Sequence, residues 1–237
     1  PFDVSALQDD SILGWYTGSG VEKTVYIASD GKIYANQNAS NLFAYIGSAN
    51  ICTKTEVITN IEILNVNNVT NMDSMFENCG QTTMTTLDLG EKFDTNNVTS
   101  MSSMFAGCTN ITSLNLGTKF NTENVTNMSN MFADCTNVTE LDLGDKFNTS
   151  KVENMSGMFS NFGSDSEIFT DLDLGDKFDT SKVTDMENMF AGCGTTAMTS
   201  LDLGPMFTNI ASNNTNFVRN CGKQGEIVIH APESIYA

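Results

Sequence analysis

The sequence predicts an α+β repeat protein, a solenoid with one parallel strand and one short helical turn per repeat, capped at both ends. Three recurrences predict it. A Met-Phe pair stands at Met75-Phe76, Met104-Phe105, Met131-Phe132, Met158-Phe159 and Met189-Phe190, in steps of 29, 27, 27 and 31 residues. A Leu-Asx-Leu-Gly tetrad starts at Leu87, Leu114, Leu141, Leu172 and Leu201, in steps of 27, 27, 31 and 29. A cysteine follows the Met-Phe pair at Cys79, Cys108, Cys135 and Cys193, and Cys221 continues the series. Phe162 fills that slot in the fourth copy, so the slot is apolar.

Residues 1–56 do not repeat and are expected to cap the open end of the stack, which would otherwise expose apolar core and strand edges. Val25-Tyr26-Ile27 and Lys32-Ile33-Tyr34 flank Ala28-Ser29-Asp30-Gly31, and Asp-Gly is a hairpin signal. Trp15, Tyr16, Tyr26, Tyr34, Phe43 and Tyr45 crowd this segment, as covering side chains or as a carbohydrate-stacking patch. Asn41 to Gly47 suggests a short helix ending at the glycine.

Residues 57–222 hold about six coils. Each opens on an L-x-x-L-x-L strand, such as Ile111/Leu114/Leu116, whose alternation sends leucines inward and the intervening Asx outward. The glycine that follows lets the chain turn. A return loop carries Phe93, Phe120, Phe147, Phe178 or Phe207. Asp94, Asn121, Asn148 and Asp179, each before Thr, supply turn and capping oxygens. Then comes Val98-x-x-Met101-x-x-Met104-Phe105-x-x-Cys108, whose offsets place these side chains on one side of a helical turn, although Val-Thr could equally open a second short strand. Ten of the 13 methionines lie here and are read as core filling. Length variation follows the cysteine slot, the longest insertion running from Ser160 to Glu167. Residues 223–237 are expected to form a last strand, with Ile227 and Ile229 inward, and a cap.

Net charge is -18, from 29 acidic and 11 basic residues, which disfavours nucleic acid and anionic lipid as partners. No run of about 18 apolar residues appears, so no insertion into a membrane is expected of this fragment. The cysteines lack Cys-x-x-Cys spacing and are expected to be free, buried thiols, binding no zinc. No secretory leader opens the sequence, and Pro1 reads as the start of an excised mature fragment, with signal and anchor expected outside it.

The repeat Val-Thr-x-Met-x-x-Met-Phe-x-x-Cys-x-x-Val-Thr-x-Leu-Asp-Leu-Gly resembles the bacterial surface-protein leucine-rich repeats called BspA-like, over about residues 57–222. The resemblance implies a leucine-rich-repeat solenoid on a bacterial, mycoplasma or protist surface, extracellular and attached to the cell. It implies adhesion or host-protein binding, and brings no catalytic residues with it. Gly in place of the usual Ser after Leu-Asp-Leu, and the Lys-Phe insertion, depart from the family pattern.

No enzyme and no cofactor are expected. The one histidine, His230, has no Ser or Cys partner placed by sequence, and the carboxylates occupy repeated slots instead of forming one unique pair. The candidate binding residues are therefore the outward column Asp88, Asn115, Asp142, Asp173 and Asp202, with Glu140 and Asp171 beside it. With rungs about 4.8 Å apart, Glu140, Asp142, Asp171, Asp173 and Asp202 should form one acidic cluster facing a cationic partner. Calcium is a second reading, although a flat column supplies fewer than the six to eight oxygens it takes. Solubility charge is a third. The expected partner is a host or neighbouring-cell protein or glycan, bound by a monomer. The alternative is a structural spacer with no ligand of its own.

Overall fold

The computed structural model describes the strands β1 (Phe2–Asp3), β2 (Leu13–Ser19) and β3 (Glu22–Ala28), and residues 33–47, 58, 61 and 64–235. Within the repeats, successive copies lie side by side and run in the same direction. One line of parallel bridge pairs joins them: Asn38 to Asn71, then on to Ser100, Asn127, Asn154, Asp185 and Asn213. A second line is made by the Leu-Asx-Leu strands. There β4 (Ile33–Tyr34) pairs with β5 (Leu64–Asn65), and β6 (Thr86–Asp88) pairs with β7 (Ser113–Asn115). Further on, β8 (Asp171–Asp173) pairs with β9 (Ser200–Asp202), and β9 pairs with β10 (Val228–His230). All of these are parallel, as a repeat that re-enters the stack from the same side each time requires.

The core lies between the two lines. Phe43, Phe76, Phe105, Phe132, Phe159 and Phe190 form a column of rings with centroids 5.4, 5.6, 5.6, 5.5 and 5.5 Å apart and planes within 15° of parallel. The column ends where Phe217 meets Phe190 edge-on at 80°. Both methionines of each of the five Met-Phe copies are fully buried beside it. Each such side chain contributes roughly 1.5–3 kcal/mol on burial, and each ring contact about 0.5–1.5 kcal/mol more. Cys79, Cys108, Cys135, Cys193 and Cys221 are buried and free; Cys52 lies outside the described residues. Burial pushes the Cys79 thiol up to about 12, and burial first, then the neighbouring Cys135 or Cys221, raises Cys108 and Cys193 well above the ordinary value.

The Met-Phe segment forms no helix. A residue with positive φ recurs before the Met-Phe pair and again two residues after it, as at Ser103 (54°) and Gly107 (72°), or Asn130 (54°) and Asp134 (57°). These left-handed residues close successive type II turns: Met104 N–H donates to the Met101 carbonyl, and Cys108 N–H to that of Phe105. The amides between them point along the stack instead. Met101, Ser103, Phe105 and Gly107 donate to Asn127, Ser129, Met131 and Ala133 of the next copy. A helix would satisfy those amides within its own turn. Here they bind copy to copy.

A buried polar column accompanies the apolar one. The Thr95, Thr122, Thr149 and Thr180 hydroxyls donate to the carbonyls of Asn121, Asn148, Asp179 and Asn209 in the following copy, at 2.8–2.9 Å. At Thr95, Thr122 and Thr180 the same oxygen accepts the N–H of that partner residue. The Thr95, Thr122 and Thr180 hydroxyls are satisfied on both sides, so their burial carries no desolvation penalty of an unpaired group. The expected turn oxygens are also in place: Asp94, Asn121, Asn148 and Asp179 each accept the N–H two residues on.

Three features of the N-terminal segment differ from the sequence expectation. Repetition begins inside the supposed cap, because 33–47 already stacks on the next copy. Ala39, Asn41, Phe43 and Tyr45 donate to Asn71, Asp73, Met75 and Glu77. The helix expected at 41–47 is therefore another turn segment, with Asn41 and Tyr45 at positive φ. The hairpin is formed by β2 and β3, with Trp15 opposite Tyr26, while Ile33–Tyr34 joins the parallel strands. At the other end, β10 lies where a last strand was expected, and Ile227 and Ile229 pack against the core. The 160–167 insertion is threaded back into the stack: Gly163 and Asp165 donate to Cys135 and Thr136 of the preceding copy, and Phe162 packs edge-on against Phe132, Phe159 and Phe169.

Candidate functional site

Strand alternation carries its expected pattern. In β6, β7 and β8 the central leucine is buried and its two neighbours are exposed. Asp88, Asn115, Glu140, Asp142, Asp171, Asp173 and Asp202 are all exposed. Register places Asp88 opposite Asn115, and Asp173 opposite Asp202, which in turn lies opposite His230.

The column also has an architectural role that the outward alternation alone does not reveal. One side-chain oxygen of Asp88, Asn115, Asp142, Asp173 and Asp202 accepts the N–H of Gly90, Gly117, Gly144, Gly175 and Gly204, at 2.8–3.0 Å. Asx two residues before Gly is thus an Asx-turn that steers the chain off the strand. Asn serves this purpose as well as Asp, as Asn115 shows. The second carboxylate oxygen of each Asp takes no part in the turn, so the charge is separable from the architecture.

The acidic cluster is not continuous. Asp171, Asp173 and Asp202 stand together on paired strands, but Glu140 and Asp142 lie on a segment that pairs with neither neighbour. Leu89, Leu174 and Leu203 each donate N–H to the next copy, at Asn115, Asp202 and His230. The equivalent bonds from Leu116 to Asp142 and from Leu143 to Asp173 are not made. The glycines agree. A Cβ on Gly117 or Gly204 would run into the carbonyl oxygen of the preceding copy's glycine, whereas one on Gly144 or Gly175 would meet nothing within 4 Å. The leucines under the opening are less covered: Leu114 is 9% exposed and Leu143 7%, against 1% for Leu87 and 0% for Leu201. Two openings result. One of about 930 Å³ lies between 113–117 and 140–144, and one of about 540 Å³ lies between 141–145 and 173–177. Glu91, Asp145 and Asp176, in the return turns, join their rims.

Among the described residues no three His, Cys, Asp or Glu side chains converge to hold a metal ion. No helix there is long and apolar enough to cross a membrane. His230 is exposed in β10.

Over the described residues the chain is thus made of parallel, laterally bonded copies with exposed carboxylates along the strand column. It belongs to the family of Mycoplasma proteins of unknown function, DUF285, whose model matches residues 48–164, 80–202 and 161–217. No curated protein and no solved structure gives a significant match.

Proposed function

We propose that this chain is a non-enzymatic protein-interaction module of a leucine-rich-repeat solenoid, displayed on a cell surface, whose acidic face meets a cationic partner. The resemblance of its repeat to the BspA-like surface proteins supports the repeat class, the location and an adhesive role. The observation that carries the reading is the exposed column itself. Asp88, Asp142, Asp173 and Asp202 each keep one carboxylate oxygen outside the Asx-turn, on a face where copy after copy repeats the same geometry. A net charge of -18 adds long-range attraction for a basic partner.

The test is a binding screen against host matrix proteins and glycans at low and high salt, with Asp142→Asn/Asp173→Asn as the variant. Asn preserves the turn acceptor and removes the charge. Saturable binding that weakens with salt and in the variant supports the reading. Binding indifferent to both contradicts it, and the absence of any saturable partner favours a spacer.

A further inference from the structure

The larger opening has the features of a peptide slot. Its walls are backbone: 113–117 on one side, and 140–144 on the other, which lacks strand pairing. The Leu116 N–H finds no acceptor across the gap, although its counterparts at Leu89, Leu174 and Leu203 do. An unpaired strand edge of this kind is a template for another chain. The floor is apolar, from Leu114, Leu116, Leu141 and Leu143. Its ends are closed by two cross-copy bonds, Thr139 N–H to the Thr112 carbonyl at 3.1 Å and Thr122 N–H to the Lys146 carbonyl at 3.3 Å. The opening is therefore a window in the strand line, not the loss of one copy, because the bridge line from Ser100 to Asn127 and Asn154 runs on past it. The rim carries Glu91, Glu140, Asp142 and Asp145 against Lys119 and Lys146. The narrower opening differs, because Lys177 Nζ already spans it to the Asp145 carbonyl at 2.6 Å.

We propose that the window between 113–117 and 140–144 takes a short extended peptide segment bearing lysine or arginine, which bonds the unpaired main chain of both walls. The inference rests on the acidic-face reading above and adds where and how the partner is gripped. Extended backbone rises about 3.3 Å per residue, so the 113–117 wall accommodates some four to five residues. Alternation then sends every second side chain onto the leucine floor and the others out to the carboxylates. The charge chooses the occupant: a second copy of this chain, at net -18, would be repelled, and a basic segment is attracted.

The test uses a synthetic Lys-Val-Lys-Val-Lys-Val-Lys peptide, the same peptide with alternate backbone amides N-methylated, and a Glu-for-Lys version, titrated at low salt into the protein and into Asp142→Asn. Expected are saturable binding of the basic peptide, at least a tenfold loss on N-methylation, and a weaker loss in Asp142→Asn. The Leu116 amide should become protected from exchange, and the Glu version should not bind. Equal binding of the methylated and unmethylated basic peptides overturns the window but leaves the acidic face standing. No binding of either basic peptide overturns both.

Discussion

The buried threonine column offers the sharpest test of how the copies hold together, and Thr122 is its best-defined member. Its hydroxyl donates to the Asn148 carbonyl at 2.9 Å and accepts the Asn148 N–H at 2.7 Å, and the side chain is fully buried. Thr122→Val keeps the volume and the β-branch but removes both bonds at once. Two backbone groups then lose their partner. A fully buried orphan costs about 1–3 kcal/mol. Asn148 is only half-buried, so water relieves part of that, and about 1 kcal/mol per group, or about 2 kcal/mol in all, is expected. Thr122→Ser keeps both bonds and loses one buried methyl, about 0.8 kcal/mol. Urea unfolding of the two variants, with the slope checked for constancy, gives the comparison. The larger, apolar replacement should be the more damaging one, which is the reverse of what core filling alone would give. If Thr122→Val proves as stable as the parent, or more stable than Thr122→Ser, the reasoning about this column is refuted.

Three further outcomes follow from the same geometry. Phe132→Ala removes a ring stacked on both faces and touched at its edge by Phe162, and should cost about 3–5 kcal/mol in urea unfolding; Phe217→Ala, half-buried at the end of the column, should cost less. Gly117→Ala should destabilise more than Gly144→Ala, since both have φ near 75° but only the first meets a backbone carbonyl; equal thermal shifts would argue that the two rungs are stacked alike. Stability should fall as pH rises above the ordinary thiol value of 9.0, because the unfolded chain then releases protons that Cys79 holds until about 12. Each such thiol contributes a slope of about 1.4 kcal/mol per pH unit over that window. Below pH 9 the slope from Cys79 vanishes, and Cys79→Ala should flatten the alkaline limb by one proton's worth.

The repeat, its apolar slots and its outward acids were legible in the sequence because each is a side-chain preference repeated at a fixed step. Met and Phe fill the core in all five Met-Phe copies, and the Asx before each Leu-Gly faces out. The backbone of the Met-Phe segment was not, since offsets of 3 and 4 fit a helix and a run of type II turns alike. The discriminating residues were nonetheless present: Ser, Asn, Asp or Gly recurs in the positive-φ slots around each Met-Phe pair. The copy at 33–47 is not legible in the sequence, because Ala39 and Leu42 stand where later copies have methionine. The window had no local signal at all. Glu140-Leu-Asp-Leu-Gly144 reads like Asp171-Leu-Asp-Leu-Gly175, yet only the second pairs with the copy that follows it. Pairing is a property of two neighbouring rungs, and a single repeat does not encode it.

Amide hydrogen exchange resolved at five leucines tests this account most directly, because the copies are held by main-chain bonds that the openings interrupt. Slow exchange is predicted at Leu89, Leu174 and Leu203, whose N–H groups bond to the next copy, and fast exchange at Leu116 and Leu143, whose groups do not. Uniform protection at all five would close the window, and uniform fast exchange would contradict the parallel stack itself.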